Sequence, residues 1–196
     1  MKRIILAVIF LFASAPGSLY AANFEFKNQQ SLRYDISVDN EDWYITRFWA
    51  ETHYDSPAAH TTFKTILFVE TRYHFHSHKL CRTEMGIEVG TDLFDWLYWG
   101  ESLQYATLHP GRDTIEIESI LLLTFPFRIR SRELEFYIFE EHTFAFVIGE
   151  GKRNGIGLGF TCQPKENLEV LLGWRHTDRI HYYDSDQIEA SLMFSF

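Results

Sequence analysis

The stretch that decides the fold is QIEASLMFSF, residues 187–196. Ile188, Ala190, Leu192, Phe194 and Phe196 fall on one side of an extended chain, and Glu189, Ser191, Met193 and Ser195 on the other. Side chains of a strand alternate between two faces, so this is a two-faced strand carried to the final residue. A strand edge left bare is a liability. The first strand of the same chain can cover it, and that pairing closes the sheet on itself.

The same period of two runs through the rest of the chain. In SLRYDISVD (31–39), Leu32, Tyr34, Ile36 and Val38 oppose Ser31, Arg33, Asp35, Ser37 and Asp39. In TFKTILFVETRYHFH (62–76), Phe63, Leu67, Val69, Tyr73 and Phe75 oppose Lys64, Glu70, Arg72, His74 and His76. Met85, Ile87 and Val89 oppose Glu84, Gly86, Glu88 and Gly90; Ile115, Ile117, Leu121 and Leu123 oppose Glu116 and Glu118. Ile156, Leu158 and Phe160 alternate with glycines, and Leu168, Val170, Leu172 and Trp174 oppose Glu169, Gly173 and Arg175. No segment sustains a helical period. Turn signals (DNED 39–42, DSPA 55–58, HPGRD 109–113, GEGKRN 149–154, QPKEN 163–167) divide the runs. The expected strands number about ten, near 28–38, 42–54, 62–77, 82–92, 97–108, 114–127, 133–146, 153–162, 167–177 and 187–196, with eight as the alternative count. Glu101 breaks the alternation of the fifth, and RIRSRE blurs the border between the sixth and seventh.

The chain opens MKRIILAVIFLFASAPGSLYA: Lys2 and Arg3, an apolar run of about ten residues, then small residues up to Ala21. That is the layout of a secretory signal peptide over 1–21, and the run is too short for a spanning helix, which needs roughly 20 apolar residues. Residues 22–196 are then one domain, and loss of Lys2 and Arg3 moves the net charge from −9 to −11. An acidic balance without a basic cluster argues against nucleic acid as a partner. Cys81 and Cys162, eighty-one positions apart, are expected near opposite ends of the structure and unpaired.

Alternation alone does not say which face meets water. A soluble barrel turns its apolar face inward around a ligand, and a membrane barrel turns it outward into lipid. Three features favour lipid. Glycines 86, 90, 155, 157, 159 and 173 sit on the polar face, where they make room in a narrow interior but would only weaken a soluble exterior. Aromatics make up 17% of the residues and suit interfacial girdles. The final strand offers the closure that a sheet in hydrocarbon requires. The expected fold is therefore all-β: a closed antiparallel up-and-down transmembrane barrel.

By parity the lumen receives Arg33, Asp35, Arg47, Glu51, Lys64, Glu70, Arg72, Glu84, Glu88, Asp92, Glu116, Glu118, Glu135, Glu169, Arg175 and Glu189. Buried charges must be paired or wet, so a salt-bridged, hydrated interior is expected. Ten strands enclose little free space once side chains fill it. His74 and His76 share a face, with His78 and Cys81 following, and are weak metal candidates; no firm third ligand is visible, His53 across the strand pair being the nearest to one, and no metal is assigned. No cofactor is expected.

Three resemblances bear on the reading. From RIRSRELEFYIFEEHTF through GKRNGIGLGFTCQPKENLEVLLGWRHTD to the last strand, the chain resembles a family of small outer-membrane barrels classed as a domain of unknown function. The matching positions are Arg130, Arg132, Glu140, Glu141, Arg153, Asn154, the alternating glycines 155–159, and Asn167, Leu168 and Glu169. The resemblance implies a fold and a compartment, without an activity. The terminal EASLMFSF is similar to the closing signal of bacterial outer-membrane barrels, with Leu192, Phe194 and Phe196 read by the insertion machinery. GWRHTDRIHYYDSDQIEA resembles the penultimate strand of lipid A deacylases, with His176 at outward parity and Glu189 across the next loop, although Glu189 has inward parity where the family's glutamate lies on the outer wall. The position of the serine nucleophile holds Asp178, which lacks the hydroxyl, so no catalytic residue is assigned.

The expectation is an exported, non-enzymatic, porin-like barrel of a Gram-negative outer membrane with a structural, narrow-channel or small-ligand role. Its partners are outer-membrane lipid and, during biogenesis, the barrel-assembly machinery and periplasmic chaperones. A lipid-modifying barrel enzyme and a soluble periplasmic ligand binder are the alternatives.

Overall fold

The computed structural model describes residues 24–37, 42–56, 61–109, 111, 113–130, 132–146, 150–179 and 184–196, so the expected signal peptide and the DNED turn centre lie outside the described residues. Ten strands form: β1 (Phe24–Asp35), β2 (Trp43–Ser56), β3 (Thr61–His74), β4 (Leu80–Phe94), β5 (Leu97–Leu108), β6 (Asp113–Ile129), β7 (Arg132–Ala145), β8 (Glu150–Lys165), β9 (Leu168–Arg179) and β10 (Ser185–Ser195). Each pairs antiparallel with its sequence neighbours, and β10 pairs with β1, so the sheet is a closed barrel. The terminal alternating segment is thus the closing stave. At the seam Gln30 faces Leu192 and Arg33 faces Glu189, and the amide of Phe196 donates to the carbonyl of Phe26 at 2.9 Å.

The count is ten and not eight because both doubtful borders form strands. β5 pairs along its length with β4 and β6 despite Glu101. RIRSRE supplies a tight hairpin between β6 and β7, with Arg130 in the left-handed region at φ 56°. Strand ends differ from the expectation. β8 begins at Glu150, so most of GEGKRN lies in the strand: its register continues past the glycine-rich sequence with an irregularity at Thr143/Phe144. β3 stops at His74, and β1 starts at Phe24 and stops at Asp35. Four strand connections and both ends of the strand array share one end of the barrel, here the terminus end. The other five connections mark the loop end.

The apolar face is outward. Phe48, Leu67 and Leu172 leave 55–58% of their surface uncovered, and Leu32, Val69, Met85, Leu158 and Leu192 follow the same pattern. A soluble monomer does not carry an apolar belt around its whole circumference; hydrocarbon is the solvent that suits it. Aromatic side chains crowd both borders, with Phe94, Trp96 and Tyr54 at the terminus end and Tyr34, Phe75 and Phe146 at the loop end. No described helix is long and apolar enough to cross a membrane, which says nothing about strands.

Inside, large side chains lie over glycines. A Cβ on Gly159 would stand 2.5 Å from the Tyr137 hydroxyl, and Gly173 faces the same hydroxyl from the neighbouring strand. Gly157 gives way to the ring of Phe139, and Gly86 to Phe68. These inward aromatics were hidden in the sequence by neighbours of equal hydrophobicity, such as Phe136 and Ile138 around Tyr137.

Candidate functional site in the lumen

The loop half of the lumen holds a network of three neighbouring ionic clusters. Arg153 on β8 reaches Glu118 at 2.7 Å and Glu141 at 3.2 Å; Arg175 on β9 reaches Glu141 at 3.2 Å. Thr143 ties into the same cluster, accepting from Arg153 at 2.9 Å and donating to Glu118 at 3.2 Å. On the opposite wall Arg82 bonds Glu116 at 2.6 Å and also pairs with Glu84, and Arg72 bonds Glu70 at 2.6 Å and Glu84 at 3.3 Å. Arg33 holds Glu189 at 3.0 Å across the closing seam, where Ser31 and Ser191 meet at 2.7 Å. Glu116 is fully buried and Glu141 is 5% exposed. Guanidinium forks and hydroxyls meet most of this charge, while Glu141 Oε1 and Arg175 Nε make no hydrogen bond. Strands from every side of the barrel contribute, so the network spans its cross-section.

Above it, at the loop rim, Asp35 is buried and its amide donates to Asp42 at 3.0 Å; Asp42 also holds His76 at 2.7 Å.

The terminus half is open. A cavity of about 1190 Å³ lies between Trp49, Tyr98, Ile120 and Leu122, with Lys27, Arg47, Glu51, Lys64, Glu88, Asp92 and Glu135 projecting into it. Most of these charges are matched locally. Lys27 reaches Glu51 at 3.1 Å, Lys64 reaches Asp92 at 3.1 Å, and Arg47 reaches Glu88 at 3.5 Å. Tyr98 donates to Glu88 at 2.7 Å, and Arg47 lies over the ring of Phe68 at 4.4 Å. Glu169 lies half-buried at this same end, in register with Met193 of β10.

The structure therefore brings together two groups out of the expected lumen charges. Arg33, Glu70, Arg72, Glu84, Glu116, Glu118, Arg175 and Glu189 enter the network, and Arg47, Glu51, Lys64, Glu88, Asp92 and Glu135 enter the cavity. Three central members, Arg82, Glu141 and Arg153, were missed. Arg82 follows a loop, and Arg153 lies in an expected turn. Glu141 is masked by Glu140, although of two adjacent strand residues one must point inward.

His53 does not lie beside His74 and His76. His53 pairs with Lys64 at the terminus end, whereas His74 pairs with Trp43 at the loop end, because antiparallel register places residues of β2 and β3 in opposite order. The rings of His74 and His76 are 5.9 Å apart, and His76 is engaged by Asp42. Among the described residues Glu25, Glu51 and His53 form a group of ligand spacing, but the ammonium of Lys27 lies 3.2 Å from Glu25 and 3.1 Å from Glu51 and already supplies the positive charge. Both cysteines are free; Cys81 lies at the loop end of β4 and Cys162 near the terminus end of β8. His176 and Glu189 do not meet: His176 faces outward and bonds Asp186 at 3.1 Å, while Glu189 faces the lumen.

No protein-family model and no curated protein matches the chain. The resemblance of the C-terminal third to a small-barrel family thus reduces to a shared architecture. Solved structures with a similar fold include the KdgM porin in complex with disordered oligogalacturonate (7% identity, 88% of this chain and 99% of that chain, TM-score 0.49). LpxR from Salmonella typhimurium is similar at 10% identity (86% and 99%, TM-score 0.43). The N-terminal β-barrel domain of Pseudomonas aeruginosa OprF is similar at 10% identity (89% and 99%, TM-score 0.37). These likenesses carry no activity over to this chain.

Proposed function

We propose that the protein is an integral barrel of a Gram-negative-type outer membrane whose lumen is closed at the loop end and open as a small chamber at the terminus end. The observation that carries this reading is the buried Arg–Glu network across the loop half. Water-filled passage needs a continuous lumen, and here guanidinium and carboxylate groups occupy the section. The lumen has a non-enzymatic role: it braces the barrel, and its chamber, with aromatic walls and paired charges, suits a small zwitterionic ligand entering from the periplasmic side. Export by the leader and recognition of Leu192, Phe194 and Phe196 by the assembly machinery complete the reading; Leu192 and Phe194 lie on the outward face of the closing strand, and exposed Phe196 follows it.

The test has two parts. Detergent-extracted protein from the outer-membrane fraction should migrate differently on gels with and without boiling, and planar bilayers containing it should show no conductance steps. Replacing Arg153 and Glu141 together by alanine should produce steps. Steps from the unmodified protein equal to those of the double variant would refute closure.

A further inference from the structure

The outer wall is two different surfaces. Along β1–β4 the described outward positions carry no charged side chain. Along β5–β9 one line of directly paired residues crosses the wall: Glu101 faces Ser119, Ser119 faces His142, His142 faces Asn154, and Asn154 faces Asp178. All five have outward parity, in the same register as Leu103, Ile117, Phe144, Ile156 and Trp174. Ionisable groups on a lipid-facing wall are costly and mark function by default, and β1–β4 show that this wall can be built without them.

Their geometry has a chemical order. The hydroxyl of Ser119 donates to Glu101 at 2.7 Å. His142 stands directly opposite Ser119 on the next strand, where Cβ atoms are about 5 Å apart; at rest the hydroxyl is held by Glu101 and the ring by Glu140, so a side-chain rotation joins nucleophile and base. One nitrogen of His142, Nε2, is held by Glu140 at 3.1 Å, which leaves Nδ1 for Ser119. Ser119, His142, Asn154 and Asp178 border a groove of about 330 Å³ flanked by Ile117 and Phe144. A nucleophile, a base and a carboxylate orienting the base are the parts of acyl transfer.

We propose that this groove hydrolyses acyl esters of membrane lipids, with Ser119 as nucleophile and His142 as base. The substrate class follows from position: what diffuses along this wall is lipid, and flanking apolar side chains suit an acyl chain. The inference rests on the reading that the wall faces a membrane. Ser119 Oγ attacks the ester carbonyl carbon as its proton passes to His142. The bond from that carbon to the lipid alcohol oxygen breaks, and His142 returns the proton to the departing alcohol. Water, deprotonated by His142, then attacks the seryl ester; the fatty acid leaves and Ser119 regains its proton. Glu140 is a positioning residue, and Glu101 holds the hydroxyl at rest.

The test uses the full mature chain inserted in vesicles of phosphatidylethanolamine alone and, separately, of lipopolysaccharide alone, with insertion verified by heat-modifiable mobility. Fatty acid should be released in at least one arm, which also identifies the source lipid. A fluorophosphonate should label Ser119, as read by mass spectrometry. Ser119→Ala should abolish labelling, and both it and His142→Gln should lower release about a thousandfold. Glu140→Gln should lower kcat with KM unchanged, and Glu140→Asp should recover part of it. His176→Ala should release at the unmodified rate. Inserted protein that releases nothing in either arm and takes no label, or a label that persists in Ser119→Ala, overturns the site. Protein that shows no heat-modifiable mobility fails the membrane reading instead.

Discussion

At the loop end of the lumen Glu116 and Glu141 are buried against arginines from three strands, whereas at the terminus end Lys64 and Asp92 pair beside a cavity of about 1190 Å³. The residue types are the same, and the surroundings decide what they do. In the tight half each carboxylate meets a guanidinium in a space without bulk water, so removing one partner strands a charge. In the wide half the same kind of pair is solvated and worth little. The aromatic-over-glycine contacts mark the boundary: Tyr137 fills the space above Gly159 and Gly173, and beyond that layer the lumen widens.

The comparison can be broken by substitution, read as unfolding free energy in lipid vesicles with urea. Glu141→Ala should cost about 3–5 kcal/mol, because buried Arg175 loses its carboxylate partner, and Glu116→Ala somewhat less, because Arg82 keeps Glu84. Leu172→Arg, which places a cation on the outer wall, should cost about 2–4 kcal/mol near mid-membrane and far less at either rim. Gly159→Val should cost about 1–3 kcal/mol by overpacking against Tyr137, with Tyr137→Phe in the same chain relieving part of it. Lys64→Gln in the chamber should cost about 0.5 kcal/mol, shrinking further at high salt. Equal costs for Glu116→Ala and Lys64→Gln would show that the two halves are solvated alike.

Much of the fold was legible because a closed barrel repeats one rule ten times. Alternation placed Arg33 and Glu189 on one face, and closure made them partners. What stayed hidden was local. Arg82 and Arg153 stand beside turns, where polar residues are ordinary, so their inward direction carried no signal. Tyr137 and Phe139 point inward from a strand whose outward neighbours are equally greasy. Glu101 did give a signal: it broke the pattern of β5 because it lies on the outer wall, bonded to Ser119. His142 and Asn154 gave none, since their alignment with Ser119 exists only once β6, β7 and β8 are in register. Local rule-breaking of this kind is where function is expected.

The account depends on greasy side chains pointing away from the barrel axis and ionic ones toward it. The most direct measurement is spin-label accessibility in a vesicle-inserted, cysteine-free chain, with single labels at Leu67 and Leu172 on the wall and at Lys64 in the chamber. Labels at the two leucines should collide with oxygen and be shielded from a water-soluble nickel chelate, and the Lys64 label should do the reverse. Nickel-accessible labels at Leu67 and Leu172 would contradict the account.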